Sequence, residues 1–142
     1  MTRRVVIAGG SGFIGGFLRR SFVARNYEVV ILTRSPGAGE AGVRRVHWDG
    51  RTLDDWAGEL EGAHALVNLA GRSVKCRYNE RNRREILESR VDSTRVLGEA
   101  IARCGTPPPV WLNASTATIY KHTFDREMDE ATGGIGATPE AW

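Results

Sequence analysis

Cysteine is scarce in this sequence: Cys76 and Cys104 are the two in 142 residues, far apart and in no C-x-x-C arrangement. That excludes a disulfide framework and a zinc ribbon and leaves two ordinary thiols. The three histidines, His47, His64 and His122, show no H-x-x-x-H spacing, so no metal site is read. Asp125, Glu127, Asp129 and Glu130 make a carboxylate-rich stretch, but its order of ligands and glycine does not fit a calcium loop. A G-x-S-x-G nucleophile elbow is also absent. No apolar run approaches the roughly 18 residues of a membrane span. The opening Met1-Thr2-Arg3-Arg4 leads into a glycine-containing segment with no small-residue cleavage pattern. The expectation is a cytoplasmic protein with no membrane partner. The net charge of +3 is uneven, because Arg72, Lys75, Arg77, Arg81, Arg83, Arg84 and Arg90 face only Glu80, Glu85 and Glu88. Neither aromatic interleaving nor a nucleic-acid motif accompanies these cations. They read as a solvated helix face or a wall near phosphates, with no nucleic-acid partner.

What is present is alternation of strand and helix patterns over the length of one ordinary domain. Residues 4–8 form a short β-branched run suited to a strand buried on both faces. Phe13, Ile14, Phe17, Leu18, Phe22 and Val23 recur at helical spacing, predicting a helix that ends near Asn26. Residues 28–33 (EVVILT) form a second buried strand, and Pro36-Gly37-Ala38-Gly39 a loop. Residues 43–48 predict a more polar strand nearer an edge, and 53–60 a short helix with Thr52 or Asp54 near its N-cap. Residues 65–69 are a fourth strand. A long helix follows over about 79–104, with Ile86, Leu87, Val91, Thr94, Leu97 and Ile101 along one face and Gly98 marking a close contact. Gly105 and Pro107-Pro108-Pro109 stop it before a fifth strand at 110–114. This order predicts an α/β fold, a Rossmann-like doubly wound parallel sheet joined by right-handed crossovers. Ligands of such sheets bind beyond the strands' carboxyl ends.

Between the first strand and first helix lies Gly9-Gly10-Ser11-Gly12-Phe13-Ile14-Gly15. In that position a glycine-rich heptad reads as a phosphate cradle. Gly9 allows the tight turn, Gly12 lets the backbone approach a pyrophosphate, and Gly15 lets the helix pack closely. Ser11, Phe13 and Ile14 complete the cofactor-binding loop, whose free N–H groups and helix dipole meet the anion. The second strand ends Leu32-Thr33-Arg34-Ser35, with no carboxylate to bind a ribose 2′-hydroxyl. Arg34 offers a forked cation and Thr33 and Ser35 offer hydroxyls, so NADP(H) is favoured over NAD(H).

The segments GGSGFIGGFL, ILTRSP, HWDG, LVNLAG, ILESRVDSTRVLGEAI and VWLNASTATIY, in this order, resemble the extended or atypical short-chain dehydrogenase/reductases. Within that family they are similar to the sugar-nucleotide-epimerase-like subgroup, the NAD(P)-dependent epimerase/dehydratases. The Trp48-Asp49 pair and Ser89-Arg90-Val91 single out the subgroup. The resemblance covers 5 to about 120 and implies an NADP(H)-binding Rossmann domain over 1–142, irregular from 121 on. It implies that this is the N-terminal half of a longer fold, whose second half completes the sheet and adds a small C-terminal domain. A five-strand sheet is therefore expected to show an apolar edge, covered by that second half or by a homo-oligomer. The resemblance also implies that Leu69, Ala70 and Gly71 border the nicotinamide ribose. Asp49 sits where the family places an aspartate near the adenine amino group, although Gly50 beside it equally suggests a turn former.

For catalysis, the resemblance implies a Ser or Thr after the fifth strand, best matched by Thr116 and then Ser115. Lining the strand end is the alternative role for both. The family's proton-transferring tyrosine lies well beyond that hydroxyl, near Glu140-Ala141-Trp142 by spacing, and no Tyr-x-x-x-Lys occurs in the chain. Two functions stay open. One is an epimerase/dehydratase-like oxidoreductase acting on an unidentified small molecule, with a nucleotide sugar suggested by resemblance alone. The other is a non-catalytic NADP(H)-binding or redox-sensing module that acts through a protein partner.

Overall fold

The computed structural model describes residues 3–35, 37–116 and 119–136. Pro36 of the predicted loop, Ala117 and Thr118 of the hydroxyl-bearing segment, and Glu140-Ala141-Trp142 lie outside the described residues. The described residues form five strands: β1 (Arg4–Ala8), β2 (Glu28–Thr33), β3 (Val43–His47), β4 (Ala65–Asn68) and β5 (Trp111–Asn113). Helix α1 (Phe13–Val23) follows β1, a 3-10 helix (Asp55–Leu60) follows β3, and α2 (Glu80–Ala102) joins β4 to β5. All strand pairs are parallel, in the spatial order β3-β2-β1-β4-β5. The chain steps outward from β1 to β3 and then crosses to β4 on the other side of β1. The crevice between β1 and β4 is therefore the switch point of a Rossmann-like sheet.

The continuous apolar runs of β1 and β2 are explained by layers on both faces. Val5, Ile7, Val29, Ile31 and Val67 face one layer, where Leu18, Phe22 and Val23 of α1 pack. Val6, Ala8, Val30, Leu32 and Leu66 face the other, with Val96, Leu97 and Ala100 of α2 and Trp56 and Leu60 of the 3-10 helix. Trp48 meets Trp56 edge-on at 5.4 Å, and the Trp56 indole N–H donates to the Thr52 carbonyl at 2.9 Å. Each fully buried aliphatic side chain in these layers contributes about 2 kcal/mol of transfer free energy.

Several local expectations change. The short helix is 3-10, and Asp54 caps it by accepting the Asp55 N–H at 2.8 Å. The buried face of α2 is Ile86, Ser93, Val96, Leu97 and Ala100, whereas the predicted Leu87 and Val91 are exposed. Phe13, Ile14 and Phe17 are likewise exposed, Phe13 by 83%. Both helices are apolar over more than one stripe, and a 3.6-residue period cannot say which stripe meets the sheet. Gly98 is not a close contact, since a Cβ there would lie an ordinary 3.7 Å from the Trp111 ring. β3 and β5 are the edges of the sheet. β5 carries the predicted apolar edge, with Trp111 and Leu112 exposed together with the preceding Val110. No helix among the described residues is long and apolar enough to cross a membrane.

Candidate functional site

The glycine loop folds at the carboxyl end of β1, and its glycines are needed for different reasons. Gly9 has φ +70°, and its N–H donates to the Leu32 carbonyl at 3.0 Å. A Cβ there would stand 2.9 Å from the Ala70 backbone, so this turn touches the end of β4 directly. Gly10, which also fits the first position of a G-x-G-x-x-G with Gly12 and Gly15, is buried, and a Cβ on it would meet the Ile7 side chain at 2.9 Å. A Cβ on Gly15 would stand 2.5 Å from the Gly10 backbone carbon, so the helix is locked onto the turn rather than onto the strand itself. Gly12 is the exception. It is the N-cap of α1, makes no side-chain cap bond, and has nothing within 4 Å of where its Cβ would be.

The first intrahelical bond of α1 runs from the Gly16 N–H to the Gly12 carbonyl at 2.9 Å. The preceding N–H groups of the turn are left for a partner outside the helix, and no acidic side chain occupies that turn. An anion seated over Gly12 would meet these donors and the positive end of the helix dipole. Ser11, Phe13 and Ile14 stand exposed around this space.

The end of β2 is tied to the same loop. Ser11 Oγ and Thr33 Oγ1 are 3.1 Å apart, and Thr33 Oγ1 also accepts the Ser35 N–H at 3.3 Å. Thr33 is buried and thus anchors the turn, while Arg34 and Ser35 are exposed beside the loop that it fixes. Asp49, just past β3, accepts the backbone N–H groups of Arg51 and Thr52 through one carboxylate oxygen, each at 2.8 Å. The Thr52 amide lowers its pKa most, and with the Arg51 amide and the Thr52 hydroxyl it outweighs the opposing desolvation to bring the carboxyl down to about 2. The turn-forming role is therefore visible in the structure, and the other oxygen has no bond to these amides.

At the end of β4, Leu69 N–H donates to the Ala8 carbonyl at 2.9 Å, and Ala70 N–H to Asn68 Oδ1 at 3.0 Å. Asn68 is buried, and its amide donates to Asn113 Oδ1 at 2.7 Å, stitching β4 to β5. Thr94 of α2 stands 3.4 Å from both side chains. The sequence places Asn68 at the close of the fourth strand and Thr94 on the apolar face of the long helix, but it does not show that the two meet Asn113; the available signal is an amide closing an apolar strand. At Gly71, expected to border the nicotinamide ribose, the Arg90 guanidinium lies 3.0 Å from where a Cβ would stand, so a side chain there would collide with it.

Ser115 and Thr116 follow β5 and are exposed at the same end of the sheet, where the Ala114 N–H donates to the Asn68 carbonyl at 2.9 Å. Tyr120 forms a bridge with Ile135, and its ring packs where a Cβ on Gly133 would stand.

Strand order, switch point and glycine turn together define the doubly wound fold of the dinucleotide-binding class. More particularly, the chain belongs to the NAD dependent epimerase/dehydratase family, whose model matches residues 5–138. It is 34% identical over 134 residues to the epimerase family protein SDR39U1 of Homo sapiens, covering 92% of this chain and 43% of that protein. It is 28% identical over 129 residues to the epimerase family protein YfhF of Bacillus subtilis, covering 89% of this chain and 42% of YfhF. The crystal structure of human SDR39U1 isoform 2 with NADPH matches with a TM-score of 0.77 and 35% identity, over 92% of this chain and 42% of that one. The chain thus spans less than half the length of these relatives.

Proposed function

We propose that this chain forms the NADP(H)-binding part of an epimerase/dehydratase-like oxidoreductase. The observation that carries this reading is the open space at Gly12, between a tightly closed glycine turn and the uncapped start of α1. A pyrophosphate fits that cradle by charge and by donor count. Arg34, exposed beyond the anchored Thr33, would pair with a 2′-phosphate. Asp49, through the oxygen that takes neither the Arg51 nor the Thr52 amide, would accept the adenine amino group, and Leu69, Ala70 and Gly71 would border the nicotinamide ribose. The NADPH in the structure of human SDR39U1, a relative 35% identical, supports the same choice of cofactor.

When bound, NADPH supplies a hydride, and the chemistry of the redox step is the cofactor's own. The chain's contribution is to orient it. Ser115 and Thr116 would offer hydroxyls to a substrate oxygen at the β5 end of the crevice. A small carbonyl-bearing molecule is the substrate class, with a nucleotide sugar the family's suggestion, and steady-state NADPH consumption over a carbonyl panel tests it.

The cofactor assignment is tested by fluorescence titration of the native chain and Arg34→Asp with NADPH and NADH. NADPH binds more tightly to the native chain, and the substitution weakens it about tenfold or more while leaving NADH little changed. If NADH binds as well as NADPH and the substitution alters neither, the Arg34 assignment fails.

A further inference from the structure

Residues 69–79 run from the end of β4 to the N-cap of α2 at Asn79. The start of this strap is gripped from both sides by two adjacent residues of α2. Ser89 Oγ accepts the Arg72 N–H at 2.9 Å, and Arg90 Nη1 donates to the Arg72 carbonyl at 3.1 Å. Both gripping groups are themselves held. The Ser89 hydroxyl donates to the Ile86 carbonyl at 3.0 Å, and Arg90 Nη1 reaches the same carbonyl at 3.0 Å. Neighbours on a helix point about 100° apart, so a serine and an arginine in sequence can straddle a backbone segment lying across them. The Arg72 side chain adds further fastening, to Glu85 and, at 2.8 Å, to Asn82 Oδ1.

The strap begins where Ala70 abuts the Gly9 turn, on the β4 side of the switch point. A dinucleotide lying across that point puts its adenosine half over β2 and its nicotinamide half over β4. The two halves are therefore walled by different elements. We propose that Ser89 and Arg90 are positioning residues for the nicotinamide half: they hold residues 69–72 in place from α2 without touching the cofactor. This rests on the NADP(H) reading and deepens it.

The test compares NADPH with 2′,5′-ADP, which has the adenosine half and 2′-phosphate but no nicotinamide. Both are titrated calorimetrically against the native chain, Ser89→Ala, Arg90→Met and Ser89→Thr. Ser89→Ala and Arg90→Met bind NADPH about tenfold more weakly and bind 2′,5′-ADP as the native chain does. Ser89→Thr, which keeps the hydroxyl, restores NADPH affinity. In the ligand-free protein the Arg72 amide exchanges hydrogen faster in Ser89→Ala than in the native chain. Unchanged NADPH affinity in both variants, equal weakening of both ligands, or unaltered Arg72 exchange overturns the clamp. A native chain that binds 2′,5′-ADP but not NADPH also overturns it, while leaving the phosphate cradle standing. Binding of neither ligand overturns the cofactor reading and the clamp with it.

Discussion

Gly12 and Gly15 are three residues apart in one loop, and alanine at the two positions is expected to fail in opposite ways. At Gly15 the added Cβ meets the Gly10 backbone at 2.5 Å, and backbone cannot turn aside as a flexible side chain can. Overpacking of this kind costs about 3 kcal/mol, and alanine's better helix propensity returns about 1 kcal/mol, leaving a net loss of about 2 kcal/mol. For a domain of this size that lowers Tm by roughly 6 °C. At Gly12 the Cβ enters empty space, and φ −82° with ψ −171° is ordinary for alanine. Alanine is a clearly poorer N-cap than glycine, by roughly 0.5–1 kcal/mol, but it loses less entropy on folding by about as much, so stability stays within about 0.5 kcal/mol. The methyl group then occupies the cradle itself. Gly12→Ala is therefore expected to unfold at the native temperature and to lose NADPH binding, whereas Gly15→Ala unfolds early. Thermal unfolding by circular dichroism, with an NADPH titration on each variant, checks both. Native NADPH affinity in Gly12→Ala, or native stability in Gly15→Ala, would refute the division of labour drawn between the two glycines.

Asn68 and Asp49 provide further tests. Asn68→Leu keeps the volume of a buried residue but removes the acceptor of the Ala70 N–H and the amide donor to Asn113 Oδ1. A loss of about 2 kcal/mol is expected in urea unfolding; a shift too small to resolve would mean that water serves these groups equally well. Asp49 is held at about 2 in the folded chain against an ordinary value of 3.8. A lowered carboxylate pKa gives stability that is complete above the unfolded value and lost as pH falls through the folded one. The native chain should therefore lose this contribution between about pH 4 and about pH 2, and Asp49→Asn should show a shallower decline there. Parallel pH profiles of Tm for the two proteins would contradict the turn-forming role.

Much of the fold was legible because its signals are local. β1 and β2 match their predicted bounds, since strands buried on both faces are written as unbroken β-branched runs. Asp54 was one of two caps considered, and Asn79 starts α2 as expected. The helix faces were less legible, because Leu87 and Val91 look as apolar as Ile86 and Leu97 until a sheet selects among them.

The glycine spacing, the arginine after the second strand and the order of strand and helix are properties of neighbouring residues, and they were enough to point to a nucleotide crevice. Contacts between residues far apart in the chain were beyond that reading. Asn68 meets Asn113 across 45 positions, and Arg90 reaches the Arg72 carbonyl across 18. Gly71 shows the difference most directly: its lack of a side chain was visible at once, but the guanidinium that takes the place of one comes from a helix whose facing depends on the twist of the whole sheet.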